Sequence, residues 1–198
     1  MSAATATGPL PAAGKSRSGH TSVVGAMLMA VSGLVAMMAL GVFFIALRTG
    51  EAANFASQTG MKFNNYSAVT IVFTMILASI AAGWAVAAAR LGNRRWGATG
   101  FGLALLFDLA ALNLLWDIGQ KLNVGVVDFP ATEIVYTLLI AGGIAMGIGA
   151  VSCIAGLVSV VGGHSSPSTR YQALAASIGQ HFAGLAWLIP FVAIFLKK

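Results

Sequence analysis

Two side chains in this sequence could do chemistry inside an otherwise greasy chain: Asp108 and His181. Asp108 sits near the middle of the stretch from Trp96 to Gly119, WGATGFGLALLFDLAALNLLWDIG, flanked by Phe107 and Leu109. That stretch is long enough to cross a bilayer, which takes about 20 apolar residues. A carboxylate at bilayer depth costs about 2.5–3.5 kcal/mol on insertion scales, so Asp108 must face protein or water rather than lipid. His181 is the one histidine inside an apolar run; His20 and His164 fall in a tail and a loop. Counted from the start of its run near Gly97, Asp108 lies about 16 Å along a helix, and His181 lies about 12 Å from Ala173. The two runs start on the same side, so a buried polar pair of Asp108 and His181 is expected. It would serve either as an interhelical hydrogen bond that fixes packing or as a proton relay.

Other chemistry finds little support. Asp117 beside Trp116 fits a snorkelling carboxylate next to an interfacial aromatic, and Asn113 can join Asp117 or Asp108. One membrane histidine does not make a haem or copper site, which needs histidines facing each other on neighbouring helices. Cys153 is the single cysteine, so it has no disulfide or thiol partner within the chain. Met27, Met29, Met37 and Met38 fit core filling or lipid contact better than copper binding. GxSxG, P-loop, CxxC and HExxH patterns are missing. No catalytic, cofactor-binding or metal site is therefore assigned to the chain.

The elements that must position these groups follow from composition. Of 198 residues, 58% are apolar and 8% are charged. Soluble domains carry about 25% charged residues, so this chain cannot cover a water-facing surface and is expected to be an integral membrane protein. The net charge of +6 comes from residues at run ends, which suits helix-end anchoring and not nucleic acid. The expected fold is all-α: a flexible polar tail over residues 1–21 and a five-helix transmembrane domain over residues 22–198. Its spans run at about 22–47, 67–89, 97–119, 132–161 and 173–196. Pro130 closes a loop ahead of the fourth span, Thr132 can cap that span's first turn, and Glu133 suits its positive end. At about 45 Å this span exceeds the hydrocarbon core and should tilt or project. Pro190 should bend the fifth span and free a carbonyl.

On one side lie Lys15, Arg17, Arg90, Arg94, Arg95 and Arg170; on the other lie Arg48, Lys62, Lys121, Lys197 and Lys198. The cluster at Arg90, Arg94 and Arg95 favours the N-terminus inside and the C-terminus outside. Gly143 and Gly147 make a GxxxG pair, and Gly149 continues the small-residue spacing with Ala141 and Ala145. Small residues four apart let backbones approach closely, here against another subunit or within the same bundle. Two classes of function remain: a non-catalytic subunit of a larger membrane complex, and a small transporter or assembly factor. Five spans do not divide into the two equal halves that inverted-repeat transporters show.

Taken in order, the spans resemble subunit III of the haem–copper terminal oxidases (the cytochrome c oxidase subunit 3 family) in its short five-helix bacterial form. The resemblance runs from about Val24 to Leu196. It is carried by Gln180-His181-Phe182 followed by Trp187, and by Val42 to Leu47 closing on Arg48. The turn Arg90-Leu91-Gly92 and the pair Trp116-Asp117 add to it. Family positions at His181, Phe182, Trp187 and Arg48 match. Others depart: a family Glu falls at Gly33, two family histidines fall at Gly142 and Ala145, and a family Asp falls at Gly184. Asp108 has no family counterpart. The resemblance implies an accessory subunit of a proton-pumping cytochrome c or quinol oxidase in a bacterial plasma membrane. It would pack against catalytic subunit I and other oxidase subunits and bind phospholipid. Haem and copper would lie on those partner subunits.

Overall fold

A computed structural model describes residues 17–50, 65–121, 130–162 and 167–196, without the side chains of 17–19, 48–50, 130–132 and 167. It contains five helices: α1 (Arg17–Gly50), α2 (Asn65–Arg90), α3 (Arg94–Lys121), α4 (Pro130–Gly162) and α5 (Pro167–Pro190). All five are long and apolar enough to cross a membrane, and the described residues contain no strand. This is a multi-pass, all-α membrane protein.

The helices run past the apolar stretches because capping groups, not hydropathy, set their ends. Residues 17–21 belong to α1 and not to a flexible tail. Met1 to Ser16 lie outside the described residues. Pro130 opens α4, where a first-turn proline loses no hydrogen bond, so Thr132 stands inside the first turn and is not its cap. Pro167 opens α5 in the same way, ahead of the expected start at Ala173.

The turn between α2 and α3 is fully determined. Gly92 takes a φ of 75°, the left-handed conformation that ends helices. Its N–H donates to the Ala89 carbonyl at 3.1 Å, and the Asn93 N–H donates to Ala88 at 2.9 Å. Asn93 then starts α3, its Oδ1 accepting from the Trp96 N–H at 3.3 Å. One glycine and one asparagine thus stop one helix and begin the next.

Helices α2, α3, α4 and α5 close into a four-membered ring in which each touches the next and α5 returns to α2. Helix α1 lies outside the ring, chiefly against α5. Its contact stripe, Ala26, Ala30, Gly33, Met37, Leu40 and Phe44, alternates spacings of four and three, while Val24, Leu28, Val31, Val35 and Val42 point outward. Gly33 and Gly41 let α5 approach. A Cβ at Gly33 would stand 2.7 Å from the Phe182 ring, and one at Gly41 would stand 2.7 Å from Ile189.

The ring interior has two apolar halves of unequal girth. Toward the α2–α3 turn it is lined by small residues, Ala82, Ala85, Ala104, Ala173 and Ala176, around Phe101. Toward the other end it is filled by Ile71, Met75, Leu138, Met146 and Trp187. Gly100 sits against Ala85 and the Ala81 carbonyl, so α2 and α3 nearly touch in the narrow half. In the wide half the Trp187 ring lies over Gly142, where a Cβ would come within 3.0 Å. After Pro190 the chain winds as a π-helix over Phe191–Leu196. A proline in a helix interior has no N–H to give, and the wider winding follows directly on that missing bond.

Candidate functional site

Between the two apolar halves lies one polar layer. Asp108 is fourteen residues from the start of α3 and thirteen from its end, about 20 Å from each. Its side chain is 0% exposed. Facing it across the ring is Gln180 of α5, also 0% exposed, whose Nε2 donates to Asp108 Oδ1 at 2.7 Å. The other end of the same amide accepts from α4: Cys153 Sγ donates to Gln180 Oε1 at 3.3 Å. This pair of partners fixes the amide's orientation, since a flipped Gln180 would turn its oxygen toward the carboxylate. Gly149 makes room, because a Cβ there would stand 2.8 Å from Gln180 Oε1 and 2.7 Å from the Ala183 Cβ. Three helices are thus joined through one side chain.

The layer is incompletely satisfied. Asp108 Oδ2 is buried with no hydrogen-bond partner, as is Trp187 Nε1 in the wide half. The Cys153 thiol lies within electrostatic reach of the carboxylate while its hydrogen bond goes to Gln180. A chain of Cys153, Gln180 and Asp108 can pin the register of three helices. A relay would need it to continue to either membrane surface, and the residues flanking it along the seams, Ala104, Ala111, Ala176 and Ala183, are apolar.

The expected pair of Asp108 and His181 does not form. His181 stands one residue, hence about 100°, around α5 from Gln180, and that rotation carries it out of the ring onto an exposed face. Its Nδ1 lies 2.7 Å from the Ser177 carbonyl and 3.3 Å from Ser177 Oγ. A carbonyl only accepts, so Nδ1 carries the hydrogen, and in the neutral ring Nε2 is left as an acceptor. That ring lines an open groove of about 300 Å³ between α2 and α5, with Ser79, Gly184 and Leu188. Gly184 faces the Ser79 hydroxyl.

The other expected positions separate clearly. Gly143 faces Leu115 of α3, and Gly149 faces Gln180 and Ala183 of α5, so both serve packing within the bundle. Gly147 has nothing within 4 Å of its missing Cβ. Phe182 and Trp187 are buried, their rings lying over Gly33 and Gly142. The side chain of Arg48 lies outside the described residues. Asn113 is exposed and joins neither carboxylate. Asp117 pairs with Lys121 at 2.7 Å on the same helix. His20 stands in α1, where its Nε2 lies 3.1 Å from the Tyr171 hydroxyl and ties α1 to α5. Met37 is buried, whereas Met27, Met29 and Met38 are exposed. Among the described residues no three His, Cys, Asp or Glu side chains gather in a metal-binding group.

Gln180 and Cys153 are the members of the polar layer that the spacing argument missed. The signal was the buried stripe of α5, Ala173, Ala176, Gln180, Ala183, Trp187, Pro190 and Ile194, which places Gln180 on the seam and His181 off it. No protein-family model matches the chain, and no curated protein matches it.

Proposed function

We propose that this protein is a non-catalytic accessory subunit of a haem–copper terminal oxidase, similar to subunit III, in a bacterial plasma membrane with its N-terminus inside. The observation that carries the reading is the ordered set of motifs from the Val42-to-Arg48 run to His181, Phe182 and Trp187. The packing is consistent with it. Phe182 and Trp187 fill the space over Gly33 and Gly142, as expected of a divergent member that exchanged buried polar groups for glycine and aromatic contact. The interior polar groups serve helix packing, and His181 turns a hydrogen-bond acceptor outward at bilayer depth, where a neighbouring helix can satisfy it. In this reading haem, copper and oxygen reduction belong to catalytic subunit I, and this chain supports aerobic electron transport by holding that subunit's flank.

The test is purification of the tagged chain from membranes of its own host in mild detergent, followed by a reduced-minus-oxidised spectrum. Haem absorption that co-elutes with the chain supports the proposal. Recovery as a haem-free monomer that moves a solute across vesicle membranes overturns it in favour of a transporter, and transient association with unassembled oxidase chains overturns it in favour of an assembly factor.

A further inference from the structure

At the end of the bundle where α1 and α5 begin, α1, α4 and α5 border a cleft of about 680 Å³. Four polar residues line it: Ser22 of α1, Ser152 and Ser159 of α4 and Gln172 of α5. Among the described residues none that lines it is charged. The cleft exists because α1 leans chiefly on α5 and touches α4 little. It reaches from Ser22 and Gln172, each about 8 Å along its helix, down to Ser152, about 15 Å from the end of α4.

Ser152 is handled differently from other hydroxyls of the spans. Those of Ser32, Thr70, Thr74, Thr99 and Thr137 donate to the carbonyl four residues back, which hides each within its own helix. The Ser152 hydroxyl instead lies against Gly179 of α5, where a Cβ would overlap it. Among the described residues neither this hydroxyl nor the Gln172 amide has a hydrogen-bond partner. A polar group left unpaired at bilayer depth is costly, and neither an acyl chain nor an apolar helix face can pair it. An occupant that suits the cleft brings donors and acceptors of its own, as a peptide backbone does.

We infer that the cleft between α1, α4 and α5 is the docking site of the chain's own residues 1–16. That stretch joins α1 at Arg17, five residues before Ser22 on the cleft wall. Its length allows a reach on the order of 50 Å, ample to turn back and follow the cleft to Ser152. From Met1 to Gly14 no side chain is charged, and apart from Met1 and Leu10 every residue is Ala, Gly, Pro, Ser or Thr. Small residues of this kind suit walls that include Ala155, Ala175 and Ala176. Pro9 and Pro11 carry no N–H, so the stretch brings fewer backbone donors that need partners. Its tether beside the cleft gives it a high effective concentration there. Docking ties α1 to α4, two helices that otherwise touch little. The inference does not rest on the oxidase reading.

The experiment is maleimide labelling of Ala155→Cys in the full chain and in a chain lacking residues 2–14, both in membrane vesicles. Native Cys153 is 0% exposed and leaves little background. The deletion should speed labelling about tenfold, the factor that a bound-to-free ratio of about ten protects. Labelling of Leu106→Cys, on the outward face of α3, should not change. In a second measurement, Leu10→Cys combined with Ala155→Cys in the full chain should form a disulfide within one chain on mild oxidation. That measurement decides the matter if the shortened chain fails to fold. Equal labelling of Ala155→Cys in the two folded chains overturns the inference in favour of lipid or water in the cleft. A disulfide that forms only between chains overturns it in favour of a second copy, and no disulfide at all overturns it outright.

Discussion

Replacing Gln180 with leucine tests the polar layer most directly. Gln180 makes both of the layer's hydrogen bonds, at 2.7 Å to Asp108 and 3.3 Å from Cys153. Leucine fills about the same volume but removes the hydrogen bond at Asp108 Oδ1, leaving the weakly donating Cys153 thiol as the one polar group near the carboxylate. An unsatisfied buried polar group costs about 1–3 kcal/mol, more if charged, so Gln180→Leu should destabilise by about 3 kcal/mol. Asp108→Val removes the carboxylate and leaves only the Gln180 amide hydrogens open, at about 1.5 kcal/mol. The double variant strands neither group and should lose about 2 kcal/mol, less than Gln180→Leu alone. The coupling of about 2.5 kcal/mol would exceed that of most interhelical hydrogen bonds in membranes, because both partners sit in an apolar interior. Unfolding free energies in mixed micelles, followed by ellipticity against increasing dodecyl sulfate, give all four corners of the cycle. Additivity of the two single changes to within about 0.5 kcal/mol would refute the claim that the layer acts as a unit.

Other variants probe the close approaches. Gly149→Ala should cost about 1–3 kcal/mol in the same unfolding assay, because its Cβ meets Ala183 and Gln180, while Gly147→Ala, with open space around it, should change stability by less than about 0.5 kcal/mol. Gly33→Ala should loosen α1 from α5 by forcing the Phe182 ring aside, and a crosslink between cysteines placed at Met37 and Ala186, which pack in one α1–α5 cluster, would report that loosening as a lower yield. Cys153, 0% exposed, should resist a membrane-permeant maleimide in the folded protein and label fully once dodecyl sulfate unfolds it.

The five spans were legible because hydrocarbon tolerates few charges, so long apolar stretches between polar breaks define the helices almost alone. Helix ends were less legible. The start of α5 at Pro167 and of α4 at Pro130 depends on what a proline ring can join, which hydropathy does not register. The burial of Asp108 followed from its cost in lipid, but its partner did not. Depth along two helices narrows the choice to a turn, and choosing within the turn needs the angular position. On α5 that position is visible in the seam of Ala173, Ala176, Gln180, Ala183 and Trp187, whereas His181 stands out in the sequence by residue type alone. Gly143 and Gly149 looked alike as small residues; only their neighbours in space show which helix each one admits.

The placement of α1 bears on how the protein is made. It is synthesised before the ring exists, yet its main neighbour is α5, which follows the other four in the chain. Until then its stripe of Gly33, Met37 and Phe44 has acyl chains and a minor contact with α4 for company. The bundle therefore closes when α5 recaptures α1, a long-range contact that any defect in α5 would leave undone.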